Sequence, residues 1–226
     1  MESAWTAAST GVEAAMNIRF YNAKILSMNG NMSIAEGELW VQGNRIIYIG
    51  PGKKSEANWD REIDARGNLL MPGFKDAHTH SAMTFLRSFA DDFPLMEWLE
   101  KQVLPMESKL TSEYVYWLCK LAIMEYLTSG ITSNFDMYSF TDAAARASAD
   151  CGFRTVLVSG LNDFNSSLEA VEEEYLRYNQ YDPLISYVFG FHAEYTTSEA
   201  LLRGTAALAQ KYQAPVFSHN SETENE

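Results

Sequence analysis

From residue 69 to the end of the chain, short apolar runs alternate with amphipathic helical stretches, and this alternation limits the fold more than any other feature. Such alternation is typical of a parallel sheet whose strands are connected by helices. After a first strand that begins with the apolar run at 69–71, the predicted strands cover 131–136, 154–160, 185–191 and 215–219. The predicted helices cover 95–103, 112–129, 143–150, 168–178 and 199–212. We therefore expect an α/β fold with a parallel sheet.

Two histidines stand one residue apart in the segment Met71-Pro72-Gly73-Phe74-Lys75-Asp76-Ala77-His78-Thr79-His80. Side chains at positions i and i+2 of an extended strand point to the same face. The imidazoles of His78 and His80 can therefore reach one metal ion if the strand ends there and faces a cavity. The alternative is a chance pairing of two histidines in a loop, because short motifs also match by accident.

The remaining two histidines also follow predicted strands. His192 comes directly after the strand at 185–191, and His219 ends the strand at 215–219, with Glu222 three residues further on. Parallel strands end at one edge of their sheet, and barrel enzymes place their chemistry at the carboxyl ends of the strands. All four histidines are therefore predicted to lie at that edge. Taken alone, a histidine such as His192 is more often a hydrogen-bonded core residue than a functional one.

The pattern Pro-Gly-Phe-x-Asp-x-His-x-His resembles the first barrel strand of the amidohydrolase superfamily. The resemblance continues through Leu86-Arg87, Ala90-Asp91-Asp92, Glu97-Trp98-Leu99, Val103-Leu104-Pro105-Met106-Glu107 and Leu110-Thr111. Within the superfamily, the chain most resembles the branch that contains methylthioadenosine/S-adenosylhomocysteine deaminases and triazine chlorohydrolases. The resemblance implies an incomplete TIM (β/α)8 barrel of the metal-dependent hydrolase type, with a small N-terminal β-sandwich domain.

The implied domain organisation has three parts. Residues 1–15 are expected to be a disordered leader or a tag, and 16–68 the N-terminal part of the small β-sandwich, with a hairpin at Gly43-Asn44. Residues 69–226 would form the first five β/α units of the barrel. Because a closed barrel of this type has about eight strands, we expect a fragment of a longer polypeptide or a chain that another chain completes.

The resemblance also implies the metal site. His78, His80 and His219 would bind one divalent metal ion, with zinc as the expected ion and iron as the alternative, since neutral imidazole suits both. The fourth strand carries no lysine. A two-metal site bridged by a carbamylated lysine, as in other amidohydrolases, is therefore not expected.

Four further residues receive roles from the resemblance. His192 would hydrogen-bond the substrate and the reaction intermediate. Glu222 would carry protons to the ring nitrogen and to the departing ammonia. In nucleoside-processing relatives, the position of Glu107 holds the ribose hydroxyls, and Trp98 would line the pocket. The alternative for Glu107 is an ordinary acid on a helix surface.

The leading hypothesis is hydrolytic deamination of an aminated purine or nucleoside-like ring by a metal-activated water. Ser159 and Ser167 stand where adenosylhomocysteine deaminases carry arginines, so a smaller aminated purine, pterin or pyrimidine fits as well. The family's last two site residues, on the sixth and eighth strands, would lie beyond Glu226. We therefore expect the 226-residue chain alone to be inactive or weakly active. The alternatives are a non-catalytic truncated module and a chlorohydrolase or cyclic amide hydrolase of the same superfamily.

Composition narrows the partners. The formal net charge of -13 argues against nucleic acid or an anionic membrane, because both require a basic face. Cys119 and Cys151 do not form a CxxC motif, and the sequence shows neither a secretory signal nor a membrane span. We therefore expect a cytoplasmic enzyme with a small-molecule substrate. It would be a homo-oligomer or would be completed by a separate C-terminal segment.

Overall fold

A computed structural model describes residues 16–30 and 33–222. The predicted leader at 1–15 lies outside the described residues. The chain divides into two compact units, one that runs up to Pro72 and a second that begins at Gly73. Among the helices of the described residues, none combines the length and the hydrophobicity needed to cross a membrane.

The first unit is a five-stranded sheet. Its strands are β1 (Asn17–Leu26), β2 (Ile34–Gln42), β3 (Arg45–Gly50), β4 (Arg61–Asp64) and β5 (Leu69–Leu70). The order is β3-β2-β1-β4, and β5 also pairs with β1. The β2–β3 pair is antiparallel and forms the predicted hairpin, whereas β4 and β5 run parallel to β1. The apolar run before the Pro-Gly pair therefore belongs to this sheet. That the sheet is half of a β-sandwich stays a prediction.

The interior of the first unit combines a small apolar cluster with one buried acid. Ala23, Ile25 and Leu39 form the apolar cluster. Glu38 is 6% exposed and accepts hydrogen bonds from Arg19 Nη2 at 2.5 Å and Arg19 Nε at 2.9 Å. These bonds hold the pKa of Glu38 below its ordinary value. Charge compensation therefore makes the burial of this carboxylate possible.

The second unit contains a parallel sheet of five strands. They are β6 (Phe74–Thr79), β7 (Ile131–Met137), β8 (Arg154–Val158), β9 (Ile185–Gly190) and β10 (Val216–Phe217). The strands lie side by side in chain order, and every adjacent pair is parallel. This sequential order is that of successive β/α units, so the second unit is a partial TIM barrel.

Helices connect these strands. They are α1 (Leu95–Trp98), a π-helical turn (Leu99–Val103), α2 (Leu104–Glu107), α3 (Ser112–Thr128), α4 (Thr141–Asp150), α5 (Leu168–Tyr178) and α6 (Glu199–Tyr212). The Thr111 hydroxyl accepts the Tyr114 N–H and caps α3. Ser198 precedes α6, but its hydroxyl donates to Asp163 instead of capping the helix. Short 3-10 helices follow β6 (Ser81–Leu86) and β9 (Glu194–Thr196).

The main hydrophobic core lies in the second unit. It includes Val115 and Cys119 of α3, Leu157 of β8, and Tyr187 and Phe189 of β9, all nearly inaccessible to solvent. Cys119 is a small core residue, and its burial raises the pKa of its thiol. The core fixes the strands from the helix side, and the strand ends therefore hold the side chains that follow them in defined positions.

Candidate metal centre and active site

Three imidazoles from distant parts of the sequence converge at the carboxyl end of the sheet. His78 lies in β6, His80 directly after it, and His219 two residues after β10. His219 Nε2 is 3.1 Å from His78 Nε2 and 3.2 Å from His80 Nε2. One potential ligand atom from each residue lies within 4.8 Å of the other two. The parallel order of β6 and β10 brings these residues together across the sheet.

The opposite ring nitrogens define the tautomers of two of these histidines. His80 Nδ1 is 2.6 Å from the Met137 carbonyl oxygen, and His219 Nδ1 is 2.8 Å from the His192 carbonyl oxygen. A carbonyl oxygen only accepts hydrogen bonds, so each Nδ1 carries the proton and donates it. In the neutral imidazole, Nε2 then carries a free lone pair. Such an arrangement is the usual way in which proteins orient a metal-binding histidine.

The donor set fits a zinc-type cation. The Nε2 lone pairs of His80 and His219 repel each other unless a proton or a metal ion lies between them, so this cluster could hold a cation. Two nitrogens at about 2.0–2.1 Å from a tetrahedral zinc ion would be about 3.3 Å apart. The observed separations of 3.1 and 3.2 Å are close to this value. Burial also lowers the pKa of His80 to about 4, which keeps its imidazole neutral at pH 7.

His192 lies beside the three imidazoles. Its ring centroid is 5.1 Å from that of His219. The Thr196 hydroxyl donates to the Ala193 carbonyl, so Thr196 Oγ1 is free to accept the His192 Nδ1–H at 3.0 Å. Nε2 of His192 is then an acceptor. The pKa of His192 is lowered, mainly by burial and to a smaller extent by the nearby His219. The negative charge of Glu222 acts in the opposite direction and raises it.

Glu222 belongs to the same group of side chains. It is exposed, and Tyr195 donates its hydroxyl to Glu222 Oε2 at 2.7 Å. The Tyr195 ring stands edge-on to His192, with 6.0 Å between the ring centroids. Tyr195 was not among the residues predicted from sequence. It lies in the 3-10 helix after β9, and no motif marks a tyrosine in such a turn.

Glu107 at the end of α2 has a partner that the sequence analysis also missed. Tyr138, the residue after β7, donates its hydroxyl to Glu107 Oε1 at 2.6 Å. Burial raises the pKa of Glu107, and the Tyr138 bond partly offsets that effect. Tyr138 adjoins Met137, whose carbonyl accepts from His80. Glu107 therefore hydrogen-bonds to the residue next to the one that orients the His80 imidazole. Trp98 is partly exposed at the end of α1, and its place in the pocket stays a prediction.

Ser159 and Ser167 have structural partners. The Ser159 hydroxyl donates to the Gly190 carbonyl at 2.8 Å and accepts the Gly190 N–H at 2.6 Å. The Ser167 hydroxyl caps α5 by accepting the Ala170 N–H. Both serines therefore join elements of the scaffold, and neither supplies the positive charge of an arginine at its position.

A parallel β/α sheet with imidazoles converging at the carboxyl ends of its strands defines a protein of the TIM-barrel class with a candidate metal centre. Within that class, the chain belongs to the amidohydrolase family, whose profile matches residues 69–226.

Curated and solved relatives agree with this assignment. The chain is 40% identical over 214 residues to the 5-methylthioadenosine/S-adenosylhomocysteine deaminase of Syntrophomonas wolfei, covering 92% of this chain and 50% of that protein. It is 39% identical over 196 residues to the 5'-deoxyadenosine deaminase of Methanocaldococcus jannaschii, covering 84% and 47%. It superposes with a TM-score of 0.84 and 29% identity on a zinc-bound adenosine deaminase from Xanthomonas campestris, covering 94% and 51%. The chain thus spans about half the length of the proteins that it matches.

Proposed function

We propose that this protein hydrolytically deaminates an aminated purine or purine nucleoside. The observation that carries the proposal is the convergence of His78, His80 and His219 beside His192 and Glu222. Three histidine ligands next to a carboxylate are the groups that a metal-assisted hydrolysis requires. The relatives named as deaminases of adenosine-type nucleosides support this choice of substrate class.

His78, His80 and His219 would hold one divalent ion, zinc in the first instance and iron as the alternative. When bound, such an ion acidifies a water molecule and thereby supplies a nucleophile near neutral pH. The two main-chain carbonyls keep the Nδ1 protons of His80 and His219 in place. Each residue would therefore offer Nε2 to the ion.

Glu222 and His192 would do the proton work and the positioning. Tyr195 engages one carboxylate oxygen of Glu222 and so orients the group without fixing its charge. The carboxylate would take one proton from the attacking water and deliver it to the ring nitrogen, and would then move a second proton from the added hydroxyl group to the departing amino group. His192 would offer Nε2 to the substrate, since its Nδ1 is engaged by Thr196.

The same geometry favours a nucleoside without a charged tail. Glu107 would hold the ribose hydroxyls, and Tyr138 limits the directions in which its carboxylate can point. Ser159 and Ser167 supply no cation for a substrate carboxylate. An adenosine-type nucleoside with a neutral 5' substituent therefore fits better than S-adenosylhomocysteine.

The proposal extends to the setting of the enzyme. It includes a cytoplasmic location, a small-molecule partner instead of nucleic acid or membrane, and a small β-sandwich completed by further strands. The barrel would be completed by a C-terminal segment, within a homo-oligomer or a single longer chain. The 226-residue chain alone would turn over weakly or not at all.

Ammonia release by the zinc-loaded, full-length gene product tests the proposal. We expect release from adenosine, 5'-deoxyadenosine and methylthioadenosine, and slower release from S-adenosylhomocysteine. Chloride release from a chlorotriazine, without ammonia from any aminopurine, would replace the deaminase with a chlorohydrolase. A zinc-replete protein that releases neither product would support the non-catalytic module.

A further inference from the structure

A buried polar network lies on the helix-facing side of β6 and β7, directly behind the two adjacent histidines. Its members are Thr79, Ser81, Asn134 and Asp136, which are 8%, 4%, 2% and 3% exposed. Side chains alternate between the faces of a strand. Thr79 therefore points away from the face of the strand that carries the two imidazoles.

Thr79 is the centre of this network. Its hydroxyl lies 2.7 Å from the Phe135 carbonyl oxygen and 3.1 Å from Asp136 Oδ1, and it accepts from Asn134 Nδ2 at 2.9 Å. Asp136 Oδ1 also accepts the backbone N–H of Ser81 at 2.7 Å. One carboxylate oxygen thus engages the residues on both sides of His80.

These side-chain bonds replace a regular strand ladder at this point. The pairing of β6 with β7 is regular at Asp76 but shifts before Thr79, so the backbone around His78 lacks an uninterrupted ladder. A side-chain network that fixes Thr79 and Ser81 then determines the direction of the peptide planes between them. Those peptide planes set where the two imidazoles point.

The composition of the network does not favour stability. Among the described residues, no ion pair involves Asp136, and burial raises its pKa to about 6. Asn134 Oδ1 is buried and has no hydrogen-bond partner among the described residues. Buried polar groups that are only partly satisfied cost stability. An apolar filling of this space would pack the sheet against α3 without that cost.

We propose that Asp136 and the Thr79 hydroxyl are positioning groups that hold His78 and His80 in their metal-binding orientation. The inference rests on the metal site proposed above. It adds two residues that do not touch the metal and that act through the backbone of the histidine segment. Outer partners of this kind commonly change metal affinity by about 10–100-fold when they are removed.

The test compares Thr79→Val with Thr155→Val in the full-length gene product. Thr155 is also buried, at 1% exposure, and its hydroxyl bonds to Ser148 at 2.8 Å, on β8 and away from the histidines. Both variants remove one buried hydroxyl and conserve shape. We expect Thr79→Val to lower zinc affinity, measured against a competing chelator, by about tenfold or more. The zinc affinity of Thr155→Val should stay within about twofold of wild type, because the Thr155 hydroxyl does not support the backbone of the metal-binding histidines.

Two further measurements distinguish positioning from packing. The Co²⁺-loaded Thr79→Val protein should show shifted visible bands, whereas Thr155→Val should reproduce the wild-type spectrum. Thr79→Ser retains the hydroxyl and should restore both zinc affinity and spectrum. If Thr79→Val does not fold, Asp136→Asn provides the same comparison. A neutral amide oxygen accepts the hydrogen bonds from the Ser81 N–H and the Thr79 hydroxyl more weakly than a carboxylate does.

The outcomes separate this inference from the proposed function. Equal zinc affinities and unchanged spectra for Thr79→Val and Thr155→Val would overturn the positioning role and leave the metal site intact. A wild-type protein that binds no zinc would overturn the metal site and the positioning role together. Loss of affinity restricted to Thr79→Val and Asp136→Asn would support both.

Discussion

Two buried carboxylates, one in each compact unit, are held in opposite ways. Glu38 in β2 is paired with the Arg19 guanidinium, which lowers its pKa. Asp136 in β7 is held by the Ser81 N–H and the Thr79 hydroxyl, and burial raises its pKa to about 6. The first acid has a fixed charge, whereas the second is close to a change of protonation state near neutral pH.

The same difference extends to the acids assigned to the active site. Tyr138 donates a neutral hydroxyl to Glu107, and Tyr195 does so to Glu222. A guanidinium is positively charged and strongly stabilises the ionised form of a carboxylate. A hydroxyl is neutral, so it orients the carboxylate but opposes its protonation less. The Arg19-paired Glu38 therefore serves the scaffold, whereas the carboxylates of Glu107 and Glu222, held by hydroxyls, are oriented for the roles proposed for them.

The largest expected effect comes from Glu222→Gln. The amide keeps the size of the carboxylate and can still accept from Tyr195, but it cannot carry a proton. Turnover should fall by about a hundredfold or more, with zinc content unchanged. Ammonia release and metal analysis on the same sample provide the measurement. Glu38→Gln is the matched control, and it should leave turnover intact. Normal turnover in zinc-replete Glu222→Gln would remove the contrast between the two kinds of acid.

The second prediction concerns pH. The lowered pKa of Glu38 means that its stabilising contribution is present above its ordinary pKa and is lost as the pH falls. The raised pKa of Asp136 means that its contribution is present below 3.8 and is lost as the pH rises through about 6. Glu38→Gln should therefore be more destabilising at pH 7 than at about pH 3, and Asp136→Asn more destabilising at about pH 4.5 than at pH 7.

Between pH 3.8 and about pH 6, the contribution of Asp136 to the free energy of unfolding changes by at most about 3 kcal/mol, which follows from the difference between its two pKa values. Urea unfolding of the chelator-treated protein at several pH values measures both slopes without a contribution from bound metal. Parallel slopes for the two variants would show that the two carboxylates are not held differently.

The third prediction tests the hydroxyl-held acid on α2. Tyr138→Phe removes the bond to Glu107 and preserves the ring. KM for adenosine should rise by about tenfold, the factor that corresponds to one hydrogen bond of about 1.4 kcal/mol. KM for adenine, which lacks the ribose, should not change. An equal rise for both substrates would indicate general disturbance of the site instead of a ribose contact.

The smallest expected effect is at Ser167, a residue of the second unit assigned to the scaffold. Ser167→Ala removes the cap of α5 and should cost about 1 kcal/mol of unfolding free energy. Turnover on adenosine and on S-adenosylhomocysteine should remain in the wild-type ratio, as steady-state kinetics can verify. A change in that ratio would place Ser167 in substrate binding.

The regular part of the fold is predictable because local signals determine it. Both α5 and α6 have the bounds that the periodicity predicts, and α3 differs by one residue at its end. The run at Leu69–Leu70 was assigned to the wrong sheet, since two apolar residues fit either sheet equally well. Local sequence does not indicate which sheet takes up such a short strand.

The imidazole cluster is predictable for a geometric reason. Parallel strands place their carboxyl ends at one edge, so histidines that follow different strands meet there. Tyr138, Tyr195 and Asp136 were missed because their roles depend on the turn after a strand or on a partner across the sheet. Tyrosine and aspartate also occur in many other settings, and their identity alone therefore indicates no function.

The two main-chain acceptors behind His80 and His219 affect how the gene tolerates mutation. Met137 and His192 contribute only their carbonyl oxygens to these bonds, and any other amino acid at those positions would present the same atom. The tautomers of the two imidazoles are therefore insensitive to which side chains surround them. A substitution at position 137 can therefore change the surroundings of the cluster without changing which nitrogen of His80 faces the other imidazoles.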